Sequence, residues 1–122
     1  MSELPAPLRS RPLYEGGPTV SSVAWGMWRF AGDDLDAAEA RLRAALDAGV
    51  TLFDTADVYG PDNGEAFGAA EALLGRVLAR APDLARAMTI ATKGGIIPGV
   101  PYDSSAGALA AAIDASLSRL GV

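Results

Sequence analysis

Hydrophobic positions in this chain follow two alternating rhythms: short apolar runs that suit buried strands, and longer stretches in which they recur every three or four residues. From Leu35 to Ala48, the residues Leu35, Ala38, Leu42 and Ala45 share one helical face, with Asp33 and Asp34 placed to cap it and Gly49 to stop it. Val50 to Asp54 follows as a buried strand. A second helix is predicted from Glu65 to Ala81, with Phe67, Ala70, Leu74 and Val77 as its apolar stripe, Glu65 as a first-turn acid and Pro82 as its end. Met88 to Thr92 reads as another strand. Ser105 then caps a third helix whose Leu109, Ile113, Leu117 and Leu120 are expected to face the core before Gly121 closes it. Upstream, Leu8 to Leu13 and Thr19 to Ala24 flank Glu15-Gly16-Gly17-Pro18, a hairpin pattern that continues as a further strand into Gly26.

This order of strand and helix, seen three times, is the βα repeat of a parallel sheet, so an α/β fold is expected. One domain is read over residues 8–122, with residues 1–7 as a flexible lead-in. The order alone fits a closed barrel and an open doubly wound sheet equally. The first βα turn carries no G-x-G-x-x-G, and Gly94-Gly95 follows Lys93 without P-loop spacing, so the glycine motifs that cradle phosphates are absent. At 122 residues the chain is about half of the roughly 250 that an eight-stranded barrel takes.

Composition narrows the chemistry. Half of the residues are hydrophobic and 20% are charged, which suits a globular core. A net charge of -5 with no run of Lys or Arg gives nothing to collect a phosphate backbone, so no nucleic-acid partner is expected. The chain has no cysteine and no histidine, which argues against a disulfide framework, thiolate chemistry or a metal site. Its N-terminus has Glu3 and prolines where a signal peptide needs a basic start and an apolar run, and no stretch has membrane-spanning length. No membrane association and a cytoplasmic location are the expectation. Of the 10 basic residues, all are arginine except Lys93, which stands at a strand end. Lysine differs in chemistry as well as frequency, because its ammonium can be brought toward neutrality or can tune a neighbour's acidity, whereas a guanidinium stays charged.

Val50 to Gly60 reads V-T-L-F-D-T-A-D-V-Y-G, a buried strand that delivers Asp54 and then Tyr59 at its outlet; Thr89 to Gly95 reads T-I-A-T-K-G-G and ends a strand in Lys93. Singly, each residue has an ordinary structural role: Asp54 satisfying turn amides, Tyr59 a rim aromatic, Lys93 a solvated strand-end charge. Together, at this spacing and with a sole lysine, they favour a site. The pattern resembles the aldo-keto reductase family, in which an Asp ends the second barrel strand, a Tyr follows just beyond, and a Lys ends the third. The resemblance runs from Leu8 to Val122. It implies the N-terminal part of a (β/α)8 TIM barrel, with an N-terminal β-hairpin and about three βα units.

The resemblance further implies NAD(P)H-dependent reduction of an aldehyde or ketone to an alcohol, on a small-molecule carbonyl substrate. Tyr59 would be the general acid, Lys93 the cation that tunes it, and Asp54 the partner that orients the lysine; a phenol gives up a proton near neutrality only with such help. NADP(H), or NAD(H), would lie against Gly26, Met27 and Asp54, while Trp28 and Tyr59 would contact substrate. Without the resemblance, Gly26-Met27-Trp28-Arg29-Phe30 reads as a turn flanked by core aromatics. Asp57 reads as a loop acid, and Tyr14 and Tyr102 attract no role.

The chain also departs from the family, which carries an active-site histidine at the end of a fourth strand and draws most cofactor phosphate contacts from later strands. The isolated chain is therefore expected to show little turnover. A rival reading is a non-catalytic half-barrel module that associates with itself or with a partner chain to complete the barrel. A flavodoxin-like domain is a third, and offers no reason for the strand-end Asp, Tyr and Lys.

Overall fold

In a computed structural model of the protein, residues 8–122 are described, and the lead-in predicted over residues 1–7 lies outside them. The turn at Glu15-Gly16-Gly17-Pro18 folds back as expected, with the Gly17 amide donating to the Tyr14 carbonyl at 2.8 Å and Leu13 to Pro18 at 2.9 Å. It joins β1 (Ser10–Pro12) antiparallel to β2 (Thr19–Ser21), pairing Arg11 with Val20. This hairpin is a two-stranded sheet of its own.

Beyond it, β3 (Ala24–Gly26), β4 (Leu52–Asp54) and β5 (Thr89–Ala91) form a parallel sheet in that order. The register sets Gly26 opposite Asp54, and Asp54 opposite Ala91, so the three strands end level with one another. Helix α1 (Leu35–Asp47) starts where Asp34 accepts a hydrogen bond from the Ala37 amide at 3.0 Å. Its Ala38 and Leu42 pack with Met27, Phe30, Phe53, Leu74, Val77 and Leu84 in the core. Trp25 meets Phe30 and Phe53 edge-on, with ring centroids 5.7 and 5.9 Å apart.

The second helical stretch ends where predicted, at Arg80 and Ala81, but departs from its prediction at the start. Helix α2 is Ala69–Arg80, so Glu65 lies in a loop ahead of it and Phe67 stays exposed instead of joining the stripe. The cause is tertiary: the Gly68 amide donates to the Asp57 carbonyl at 2.7 Å and Glu65 to Gly60 at 3.0 Å, which commits the segment to a folded-back loop. At the far end Pro82 does not simply terminate a helix. It opens a short one, α3 (Pro82–Ala87), where its missing N–H costs nothing.

Helix α4 (Ala106–Leu120) is capped by Ser105, whose hydroxyl accepts from the Ala108 amide at 3.2 Å, and Gly121 closes it as predicted. Its apolar face is the larger correction. Leu120 is buried, but Ile113 is 59% and Leu117 45% exposed, because α4 packs chiefly on α2 and its remaining flank stays open. The α2–α4 contact is close at Gly75, where a Cβ would collide with the Arg119 carbonyl oxygen.

Candidate active site at the strand ends

Past Asp54 the chain keeps following β5 rather than turning away at once. Thr55 donates its amide to the Ala91 carbonyl at 2.8 Å, and Asp57 to the Lys93 carbonyl at 3.1 Å. This extension carries Tyr59 out beside Lys93. Gly60 then lets the loop fold back tightly, since a Cβ there would run into the Ala66 carbonyl oxygen, and the Tyr59 carbonyl is pinned by the Ala70 amide at 3.1 Å.

Three side chains named from the sequence thereby converge. Lys93 Nζ donates to Asp54 Oδ1 at 2.7 Å and to the Thr55 carbonyl at 2.9 Å, and it stands over the Tyr59 ring at 4.8 Å from the centroid. Burial alone would lower the lysine's pKa, but the hydrogen bond to Asp54 and the neighbouring Tyr59 phenol outweigh it, and the net direction is upward. The ammonium is therefore held charged against a phenol. A shallow cavity of about 230 Å³ opens here, lined by Ala56 to Tyr59, Lys93, Gly94 and Ile96.

The residues from the end of β3 divide. Gly26 is exposed opposite Asp54, and an added Cβ would meet nothing within 4 Å, so this side of the strand ends is open. Met27 is fully buried; its side chain belongs to the core, and only its backbone can face a ligand. Trp28 is 42% exposed and is held at the rim by its indole N–H donating to Asp62 Oδ2 at 3.1 Å. Asn63 adds to this clamp, donating Nδ2 to the Trp28 carbonyl at 2.7 Å and accepting from Arg29 Nη1 at 2.9 Å, while the Arg29 guanidinium stacks on the Trp28 ring at 4.0 Å. Glu65, expected as a helix-start acid, instead accepts from the Gly32 amide at 3.0 Å and joins the same two loops.

Sequence reasoning missed the polar layer under these residues. Asp57 is buried at 2% exposure, and Glu71 is fully buried with Arg119 paired to it. Burial pushes the Asp57 carboxyl up, with the Glu71 charge adding to it and Arg119 opposing. For Glu71 a signal existed: it shares a helical face with Leu74, Gly75 and Leu78, so a carboxylate interrupts an apolar stripe.

Solved structures that resemble this fold are numerous. A family profile described as aldo/keto reductase matches residues 22–122. A Novosphingobium aromaticivorans protein named 6-dehydroglucose reductase is 54% identical across the whole chain, which spans 41% of that protein's length. An Agrobacterium fabrum protein of the same name is 36% identical over 84% of the chain and 36% of its own length. L-glyceraldehyde 3-phosphate reductase of Escherichia coli is 36% identical over 94% of the chain and 34% of its own length. Among solved structures, an aldo-keto reductase from Pseudomonas aeruginosa superposes with a TM-score of 0.74 at 28% identity, over 93% of this chain and 43% of that one. The chain thus corresponds to the N-terminal part of those barrels, hairpin included, and spans about two fifths of the relatives' length or less.

Proposed function

Since the chain belongs to the aldo/keto reductase family, we propose that it carries the proton-donating half of an NAD(P)H-dependent carbonyl reductase and works as the N-terminal part of a longer barrel. The observation that carries this reading is the single ammonium of Lys93, bonded to Asp54 at 2.7 Å and poised over the Tyr59 ring. Reducing a carbonyl needs a hydride on carbon and a proton on oxygen. A bound nicotinamide cofactor would supply the hydride. Tyr59 gives the proton from its phenol, Lys93 stabilises the charge left behind, and Asp54 keeps Lys93 charged and in place.

The strand ends fit the nicotinamide end of such a cofactor. Gly26 leaves open space beside the strand, and the Asp54 side chain is 44% exposed, able to accept a hydrogen bond from a ribose hydroxyl while still holding Lys93. Trp28, clamped at the rim by Asp62 and Asn63, forms a wall for substrate. Two relatives are named for 6-dehydroglucose and one for a phosphorylated three-carbon aldehyde, which supports an aldehyde-bearing sugar as the substrate class.

Purified from its native source at whatever length the cell makes, the protein should oxidise NADPH in the presence of such an aldehyde. Replacing Tyr59→Phe in the native gene should lower kcat by at least about a hundredfold, the low end for loss of a general acid, while leaving cofactor binding near normal. Undiminished turnover in that variant would remove Tyr59 from the role. The uncovered flank of α4 supports the second part of the reading, and intact mass tests it: a species of more than twice 12.4 kDa carrying this N-terminus is expected. A species of 12.4 kDa would favour a module that completes its barrel by association.

A further inference from the structure

The reductase reading leaves the buried polar layer unused. Glu71 Oε2 accepts from Thr92 Oγ1 at 2.7 Å, and its Oε1 accepts from Arg119 Nε at 2.9 Å with Arg119 Nη2 at 2.8 Å from the same oxygen. Glu71 is fully buried, and removing a carboxylate from water costs several kcal/mol unless partners compensate. One carboxylate thereby links three elements: α2 on which it sits, α4 through Arg119, and the end of β5 through Thr92. The β5 link matters most, because Thr92 immediately precedes Lys93.

Successive residues of an extended chain point to opposite sides. With its hydroxyl drawn to Glu71 in the helical layer, Thr92 commits Lys93 to the other side, where Asp54 and Tyr59 stand. The neighbouring backbone is tied to the same helix: the Asp57 amide donates to the Lys93 carbonyl, and the carbonyls of Asp57 and Tyr59 accept from Gly68 and Ala70 at the start of α2. These hydrogen bonds from the start of α2 lead to Tyr59 directly and to Lys93 through Asp57.

We propose that Glu71 is a positioning residue: held by Arg119, it fixes the end of β5 through the Thr92 hydroxyl, so that Lys93 reaches Asp54 and stands over Tyr59. This rests on the proposed roles of Lys93 and Tyr59, and deepens them. A packing role alone would be met by an apolar residue at position 71 and would be indifferent to the hydroxyl at position 92.

The test uses three variants in the native gene, Glu71→Gln, Thr92→Val and Thr92→Ser, with two readouts. The first is the side-chain resonance of Lys93 in protein labelled with ¹³C-lysine, identified as the signal lost in Lys93→Arg and followed through an alkaline titration. The second is steady-state turnover with NADPH and an aldehyde. Thr92→Val nearly preserves volume and should move the Lys93 midpoint down toward the ordinary lysine value. It should also lower kcat roughly tenfold or more, the scale expected when a reacting group is misplaced by less than an ångström, with a smaller change in KM. Thr92→Ser should restore both. Glu71→Gln should follow Thr92→Val, and if it fails to fold the Thr92 pair decides. An unchanged Lys93 midpoint in folded Thr92→Val, or equal behaviour of Val and Ser at position 92, would overturn the proposal. A shifted midpoint in a protein that never oxidises NADPH would sustain the positioning role and sink the reductase reading.

Discussion

Helices α2 and α4 lie against each other and carry similar apolar stripes, yet they live in different surroundings. Of the 12 residues in α2, seven are buried; of the 15 in α4, only Ser116 and Leu120 are. The difference does not come from sequence. α2 has α1 on one side, α4 on the other and the strands beneath, whereas α4 touches α2 and leaves Leu109, Ile113 and Leu117 along an open groove of about 250 Å³ beside Thr92, Lys93 and Gly94. An amphipathic pattern tells which face of a helix seeks cover, and the neighbours decide whether cover is present. In this chain the uncovered face lies next to the candidate site, beside Thr92, Lys93 and Gly94.

The sharpest test of the contrast is truncation inside α2. Leu74 is fully buried in the main core, and Leu74→Ala should cost about 2–5 kcal/mol in urea unfolding of the 122-residue chain. A cost below about 1 kcal/mol would mean that α2 is no better packed than α4.

Gly75→Ala strikes the junction between the two helices. The new methyl would meet the Arg119 carbonyl oxygen, which is backbone and cannot swing aside, so α4 must move off α2. We expect a loss of about 1–3 kcal/mol, the range for overpacking, offset only partly by alanine's better helix propensity. The readout that separates this from a general loss is amide hydrogen exchange: protection should fall first in α4, with α1 little changed. Equal loss in both would make the junction a part of the core rather than a separate seam.

The contrast also marks where sequence was informative. The alternation of strand and helix along the chain and the caps at Asp34 and Ser105 were legible, because each depends on a few residues close in sequence, while the meeting of Asp54 with Lys93 was implied by the family resemblance. The start of α2 was not legible, since backbone bonds from Gly68 to Asp57 and from Ala70 to Tyr59 decide it. The burial of the Met27 side chain was not legible either: it packs in the core with Phe30 and Phe53, so only its backbone can serve the expected cofactor contact. The buried Glu71 left a trace in its stripe, but its partners Thr92 and Arg119 are 21 and 48 residues away and could be found only in space.

A gentler probe of the α2–α4 junction is its charge. Asp57 has its carboxyl raised by burial and by Glu71, with Arg119 and the Val58 amide acting the other way. A folded-state pKa above the unfolded one means that stability is greatest below the unfolded value, near 3.9, and is lost as pH rises through the raised value. Asp57→Asn removes that ionisation. The variant should therefore unfold at a higher temperature than the parent at pH 7, with the advantage vanishing below about pH 4. Destabilisation of equal size at both pH values would show that the carboxylate is needed as an acceptor and that its charge carries no penalty.

The smallest effect is expected on the open flank. Leu117 is 45% exposed, so Leu117→Ala should change the stability of the 122-residue chain by no more than about 0.5 kcal/mol, the ordinary range for a surface position. The same substitution in the native-length protein discriminates between ways of covering the face. If further chain packs on α4, Leu117 becomes a core residue there and the cost should rise to about 2–5 kcal/mol. If copies of the 122-residue chain cover one another instead, the cost in that chain should grow with protein concentration, because association stabilises by mass action. A near-zero cost in both proteins, independent of concentration, would mean that the α4 flank faces water and that its apolar stripe is not an interface.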